Sequence, residues 1–221
     1  MKLLKNPGSF RDPAGQVFEY QNRIIRVVKK YGKERYQYLL SNNIIEESID
    51  KGFLVETKNV TNEFKDINID DACYFLEHKK IDYISYPYEW GFYQLKSAAL
   101  HHLDFQIFLL DKNVKLIDSS AYNIQFLNHK PIFIDLLSLE KYQEGEYWFG
   151  HSQFLQQFLN PLLLRSIKGI NFNDWYRGNL DGIKTSDLNE ILNFKDKLSF
   201  NVFFSVVLLS RFENKNKKNP K

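Results

Sequence analysis

The sequence predicts an α+β fold, with a small and mostly β first part followed by a larger and mostly helical second part. Three observations lead there. Residues 1–88 alternate short β-branched runs with turn residues, and the clearest run is NRIIRVV at 22–28, where Ile24, Ile25, Val27 and Val28 favour a strand. The strongest helical periodicity comes next, at 92–110, where Leu95, Ala98, Ala99, Leu103, Ile107 and Leu110 recur at three- and four-residue steps. A β-hairpin then interrupts the helical part and carries acidic or amide side chains at both ends. The expected division is 1–88, 89–212, and a basic tail at 213–221 that is either a solvated end or a linker into a further domain.

Composition narrows the classes. A chain of 221 residues has room for one domain or a two-lobed domain with a substantial core. A hydrophobic share of 43%, with 19 Phe and 13 Tyr, excludes a mainly disordered chain. The net charge of +3 owes much to Lys215, Lys217, Lys218 and Lys221, so it marks a basic end rather than a clustered binding face, and nucleic acid is not an expected partner. The single cysteine, Cys73, excludes internal disulfides and a cysteine metal cluster. No apolar stretch is long and clean enough to span a bilayer, and the start MKLLKNPGSF turns polar too soon for a secretory signal. A cytoplasmic protein is expected.

In chain order, GSFRDPAGQVF at 8–18 reads as a turn between short strands, punctuated by Gly8, Pro13 and Gly15. Arg23 and Arg26 interrupt the strand that follows. Residues 31–40 are helix-compatible, and Asn42 or Asn43 caps a second helix that reads Ile44, Ile45, Ile49 and ends at Gly52, with Glu46 and Glu47 near its start. A short strand is expected at 53–57. Residues 70–80 are polar around Tyr74, Phe75 and Leu76, and IDYISYPY at 81–88 reads as an edge strand stopped by Pro87. His101 and His102 lie on the long helix, but adjacent helical residues diverge by about 100° and no HxxxH partner follows, so they are not a metal pair. Trp90 reads as a core residue. Residues 148–164 form a helix broken near Asn160-Pro161, with Gln153, Gln156 and Gln157 as its polar face, and Trp175, Tyr176 and Arg177 sit in a polar loop that could line a substrate channel.

The chemistry concentrates in LIDSSAYNIQFLNHKPIFIDLLSLE at 116–140. A strand delivers Asp118 to a short loop that ends at Asn123. Ile124, Gln125 and Phe126 alternate into an Asn128-His129 turn, and the return strand ends at Asp135. A carboxylate five residues before an amide, with a hairpin leading to a second carboxylate, can gather three oxygens around one phosphate–Mg²⁺ site. In that arrangement Asp118 orients or deprotonates a hydroxyl, while Asn123 and Asp135 hold the metal. The same residue types also cap turns for purely local reasons.

This spacing resembles the catalytic loop and metal-binding Asp of the protein-kinase-like fold, small-molecule kinases included. The resemblance implies a two-lobed fold, a mostly β N-lobe at 1–88 and a mostly helical C-lobe at 89–212, using ATP and Mg²⁺. It further implies a cation on the third strand for the phosphates. Arg26 is the candidate and Lys29 the second, with Glu46, Glu47 or Glu34 as its acidic partner. The 8–18 turn would lie over the phosphates, with Arg11 in it, and Tyr88 would meet a purine at the connection between lobes. The chain departs from the pattern in several places: arginine for lysine, no GxGxxG, no histidine before Asp118, and Leu136-Leu137 where Phe-Gly is usual.

A second resemblance covers most of the chain. GSFRDPAGQVF, ISYPYEW, QLKSAAL, SSAYNIQF with KPIFIDLLSLE, WFGHSQFLQQFLNPLLL and NLDGI are similar to the N-terminal region of bacterial nodulation-type proteins known as SAM-dependent methyltransferases. It implies a downstream methyltransferase domain or partner, which alone would bring SAM, since no Gly-x-Gly turn of the SAM-binding kind occurs here. Three functions follow as expectations. One is a phosphotransferase acting on a small-molecule, glycan or lipid-precursor hydroxyl. The others are a catalytically silent kinase-like module and an accessory part of a methyltransferase.

Overall fold

The computed structural model describes residues 3–6 and 12–211. The expectations placed on Gly8, Arg11 and the 213–221 tail lie outside the described residues. The fold is mixed α+β, and it divides into two compact units. The first comprises Met1–Ile84, His101–Ile117 and Asn123–Trp148; the second comprises Ser85–Leu100, Asp118–Tyr122 and Phe149–Lys221. Each unit is thus assembled from three separate stretches of sequence.

The first unit is built on an antiparallel sheet of β1 (Leu4–Lys5), β2 (Gly15–Tyr20), β3 (Arg23–Lys29), β4 (Thr57–Asn59) and β5 (Ala72–His78), in the order β1-β2-β3-β5-β4. Gln21 and Asn22 join β2 to β3 with φ of 47° and 67°, the left-handed pair that a two-residue hairpin turn requires. Residues paired across antiparallel strands project to the same face. Phe18 opposite Ile25, and Val27 opposite Phe75, therefore share one face, where they cluster with Tyr20, Val60 and Phe64. Arg26 opposite Leu76, and His78 opposite both Ile24 and Thr57, occupy the other.

Between β3 and β4 come α1 (Lys30–Ser41) and α2 (Ile44–Asp50), close to the bounds that the sequence suggests. The strand expected at 53–57 is displaced to β4, and Leu54 instead makes a parallel bridge to Phe133. The larger correction concerns β5. The polar stretch at 70–80 is a central strand, whereas 81–86 forms none, and Pro87–Glu89 is a 3-10 turn. Glu77 and His78 look wrong for a buried strand only until their partners are seen: Arg23 forks onto Glu77 at 2.8 and 2.7 Å, and Arg26 meets His78. Tyr83, 77% exposed, has no such neighbours to bury it.

The same unit holds two small antiparallel ladders. β6 (Val114–Leu116) pairs with β9 (Leu139–Lys141), and β7 (Ile124–Leu127) with β8 (Lys130–Phe133). Asn128 turns the β7–β8 hairpin at a φ of 58°, which asparagine tolerates well. The Val55 amide donates to the Phe133 carbonyl, and the Phe133 amide to the Phe53 carbonyl, each at 2.9 Å, which moors the hairpin to the segment before β4.

The second unit is helical. α3 (Phe92–Leu110) begins in it and passes to the first unit at His101. α4 (His151–Phe154) continues through a π segment, Leu155–Leu159, into α5 (Asn160–Lys168). The expected break at Asn160-Pro161 is thus absorbed as a π-bulge: the proline has no N–H to give the turn before it, and the carbonyls there accept from elsewhere, Gln156 from the Ile183 amide at 2.9 Å and Gln157 from the Tyr176 hydroxyl at 3.3 Å. α6 (Asn173–Gly178) replaces the expected polar loop, and α7 (Thr185–Ile191), α8 (Phe194–Lys197) and α9 (Phe200–Val202), which runs into a second π segment, Phe203–Leu208, complete the unit. Trp90 is buried, as expected, with its indole N–H on the Ser85 hydroxyl at 2.9 Å. Among the described residues, no helix is long and apolar enough to cross a membrane.

Candidate functional site

In the first unit, the polar face of the sheet gathers a largely buried electrostatic cluster. Arg26, 8% exposed, stands in the middle of β3 and directs Nη1 to the Asp135 carboxylate at 2.6 Å. Asp12 lies 3.8 Å from the same nitrogen, and its other oxygen accepts the Ala14 amide at 2.8 Å, which holds the loop before β2 in a tight turn. Burial pushes the Asp12 carboxyl up from its ordinary value; the negative charge of Asp135 adds to this, while the Ala14 amide and Arg26 oppose it. Two carboxylates therefore share one guanidinium, and the cluster has a surplus of negative charge.

Asn123 and Asp135 belong to opposite ends of the β7–β8 ladder in sequence but to the same end in space. Ile124 pairs with Phe133, and the Ile134 amide donates to the Asn123 carbonyl at 2.9 Å, so the amide residue and the carboxylate residue flank one hydrogen-bonded step. Leu136-Leu137, in place of Phe-Gly, are buried in a 3-10 turn, Leu136–Ser138. Arg35 on α1 donates to the Leu137 carbonyl at 2.6 Å and to Glu140 at 2.5 Å, which clamps the segment after Asp135. Gly15 sits where a Cβ would lie 2.6 Å from Leu137 Cδ1 and 2.8 Å from the Val27 carbonyl, so only glycine lets β2 pass this close.

The acidic partner of Arg26 is therefore Asp135, not Glu46, Glu47 or Glu34. Glu47 pairs with Lys112 at 2.5 Å, and Glu46 is exposed on α2. The reason is geometric: α2 offers its first-turn carboxylates to the end of α3, while the hairpin brings Asp135 onto the polar face of the sheet. Among the described residues, no group of three or more His, Cys, Asp or Glu is placed to hold a metal.

Asp118 belongs to the second unit. Its Oδ1 accepts the Ser120 amide at 2.9 Å, which shapes the loop that follows. Two helical glutamines secure that loop by its backbone. Gln153 accepts the Ser119 amide at 2.9 Å, and buried Gln157 accepts the Ala121 amide at 2.7 Å and the Ser120 hydroxyl at 3.3 Å. The π segment containing Gln157 leaves its own carbonyl to accept the Tyr176 hydroxyl at 3.3 Å. The sequence reads these glutamines as the polar face of the helix, without showing what that face meets. The available signal was a glutamine at a position embedded in the apolar run FLQQFL.

Tyr122 closes the loop edge-on to Tyr176, with centroids 6.4 Å apart, and its hydroxyl pKa is pushed up to about 12 by burial, with Tyr88 and Asp181 adding. Tyr88 stacks on Tyr86 at 5.4 Å, and the Arg177 guanidinium approaches its ring at 6.0 Å. Asn173 donates to the Tyr88 and Trp90 carbonyls at 2.9 and 3.0 Å, which fixes the 3-10 turn there. Of the residues expected to line a channel, Tyr176 is fully buried, Trp175 half-buried and Arg177 exposed.

Among known proteins, the chain is similar to nodulation protein NoeA of Rhizobium meliloti (strain 1021), with 39% identity over 207 residues. The match covers 94% of this chain and 43% of NoeA, so the chain spans less than half the length of that bacterial relative. No family model matches the chain. The homology thus extends over most of the chain, as the second resemblance implied.

Proposed function

We propose that the chain is a kinase-like phosphotransferase domain that moves phosphate from ATP–Mg²⁺ to a hydroxyl of a small molecule, glycan or lipid precursor. One observation carries this reading: Arg26, on the third strand, is ion-paired with Asp135, at the hairpin end that also bears Asn123. Kinases use a third-strand cation for phosphate, and an amide and a carboxylate of the catalytic segment for Mg²⁺. The order of elements supports the same reading: three strands, helices, two strands, a long helix, Asp118-x4-Asn123, a hairpin, Asp135.

The donor set fits the ligand. Carboxylate and amide oxygens suit a hard cation, and Mg²⁺ typically needs only one or two protein carboxylates when phosphates supply the rest. The negative surplus at Asp12 and Asp135 is what a divalent cation would relieve. When bound, ATP–Mg²⁺ supplies the transferable phosphoryl group and neutralises its charge. Arg26 would hold phosphate oxygens through its planar fork of donors, Asn123 and Asp135 would hold the metal, and Tyr88 would serve the purine end. Asp118, five residues before Asn123, orients the acceptor hydroxyl and takes its proton. The clamped, buried Leu136-Leu137 segment supports a site without a mobile switch after Asp135.

Asp12 favours a second reading, the silent module, because its carboxylate already offers Arg26 an anion where phosphate would lie. Thermal unfolding separates the two. Saturating ATP–Mg²⁺ at about a hundred times its Kd stabilises by about 2.7 kcal/mol, which raises the midpoint of a chain this size by roughly 5–10 °C. Asp135→Ala is expected to lose that rise. No response of the native chain to ATP–Mg²⁺ favours the silent module, and a response to SAM alone discards the kinase-like reading.

A further inference from the structure

His78 is buried beside Arg26, and no sequence motif points to it. It lies on β5 directly opposite Thr57 of β4 and Ile24 of β3, so it shares the polar face with Arg26, one diagonal step away. Three contacts join in a line. Arg26 Nε lies 3.2 Å from His78 Nε2, His78 Nδ1 lies 2.8 Å from Thr57 Oγ1, and Thr57 Oγ1 lies 2.9 Å from the Val55 carbonyl.

The chemistry of the end groups fixes every proton in that line. Arginine Nε–H can only donate, so His78 Nε2 accepts. A neutral imidazole has one donor and one acceptor, which puts the hydrogen on Nδ1 and directs it to Thr57 Oγ1. The threonine hydroxyl then donates to the Val55 carbonyl, which can only accept. Complete burial with Arg26 beside it keeps the ring neutral, with a pKa pushed down to about 3. A protonated ring would place a hydrogen on Nε2 against the guanidinium N–H and break the line.

We infer that His78 is the positioning residue of Arg26: it holds the guanidinium by Nε and so aims Nη1 at the position shared by Asp135, Asp12 and, in the proposed reaction, a nucleotide phosphate. This deepens the phosphotransferase reading and rests on it. His78 does not touch the ligand; it determines which edge of the guanidinium is free to do so. An arginine on the third strand is longer and more branched than the usual lysine, and it needs a second anchor to present one edge. The Thr57–Val55 end ties that anchor to the backbone leading into β4.

The test compares ATP–Mg²⁺ with adenosine as probes, on the full chain, by calorimetry. His78→Leu removes the acceptor, and it is expected to weaken ATP–Mg²⁺ by about tenfold or more, the scale of one charge-assisted hydrogen bond. Adenosine, which has no phosphate for Arg26, is expected to keep its affinity within about twofold. His78→Gln supplies one acceptor and one donor and is expected to recover most of the loss. In an Arg26→Lys background, which keeps a cation for phosphate but has no Nε to meet His78, His78→Leu should add nothing further.

Equal losses for ATP–Mg²⁺ and adenosine, or an additive loss in the Arg26→Lys background, overturn the inference. Absence of ATP–Mg²⁺ binding by the native chain overturns the phosphotransferase reading instead. The anchoring is then decided by ¹⁵N NMR of the native imidazole. A ring protonated on Nδ1 and bare on Nε2 supports it, and a ring protonated on Nε2 overturns it.

Discussion

Arg26→Ala lowers the stability of the unliganded chain by about 3 kcal/mol, at the lower edge of the range for breaking a buried ion pair, and abolishes its response to ATP–Mg²⁺. The pair is not fully buried: the Arg26 side chain is 10% exposed and that of Asp135 23%, so water recovers part of the lost interaction. What remains is the cost of two carboxylates, Asp135 and Asp12, left facing each other without their cation. Urea denaturation at neutral pH measures the loss. The deficit should shrink on acidification, because protonation of Asp12, whose carboxyl burial already pushes up, removes the repulsion that the variant suffers. Arg26→Lys keeps the charge but not the Nε contact to His78 or the fork, and it should fall between the two. A deficit independent of pH would mean that lost packing, not charge, dominates the substitution.

Acid unfolds the chain through its histidines before its carboxylates. Burial holds His78 and His102 down to about 3 from an ordinary 6.5, with Arg26 opposing the charge of the first and His101 that of the second. Below pH 6.5 the unfolded chain takes up two protons that the folded chain refuses. Stability contributed by these neutral rings is therefore complete above pH 6.5 and is lost as pH falls towards 3. Each ring adds a slope of about 1.4 kcal/mol per pH unit, so together they give nearly 3. His101, lowered by burial, steepens the slope in the same direction. Glu77 and Glu146, lowered by hydrogen bonds from Arg23 and Lys115, act only below their ordinary 4.5. Asp12, raised by burial, opposes the histidine slope, so in the window from 6.5 to 4.5 the readout is the difference between the native chain and a histidine variant. Stability against urea, measured across that window, should fall about one proton less steeply in His78→Gln. An unchanged slope would mean that His78 titrates normally.

Much of this architecture was legible where the signal was local. The β-branched run around Ile25, the helix at 92–110 and the Asn128 turn each declare themselves within a few residues, and each became the element expected, although past Ala99 the helix buries His102, Phe105 and Leu109 and leaves Ile107 exposed. The candidate triad was chosen from residue types and spacing alone, and it divides between units, with Asp118 in one and Asn123 and Asp135 in the other. What failed was long-range. Arg26 and Asp135 are 109 residues apart, and the three glutamates nearer in sequence were the natural partners to weigh. β5 was hidden for the same reason: Glu77 and His78 are strand residues only because β3 brings Arg23 and Arg26 alongside them. The polar face at Gln157 was legible but its partner was not, because a helix reads the same whether a glutamine carbonyl meets water or the N–H of Ala121.

The most direct test of the central claim puts Mn²⁺ in place of Mg²⁺. Titrating Mn²⁺ with ATP into ¹⁵N-labelled chain should broaden the amide resonances of Asn123, Ile134 and Asp135 first, with Arg26 close behind. Asp135→Ala should remove that pattern while the remainder of the spectrum stays dispersed. Broadening centred on the α2 glutamates, Glu46 and Glu47, or broadening with no dependence on ATP, would contradict a nucleotide–metal site at the end of the β7–β8 hairpin.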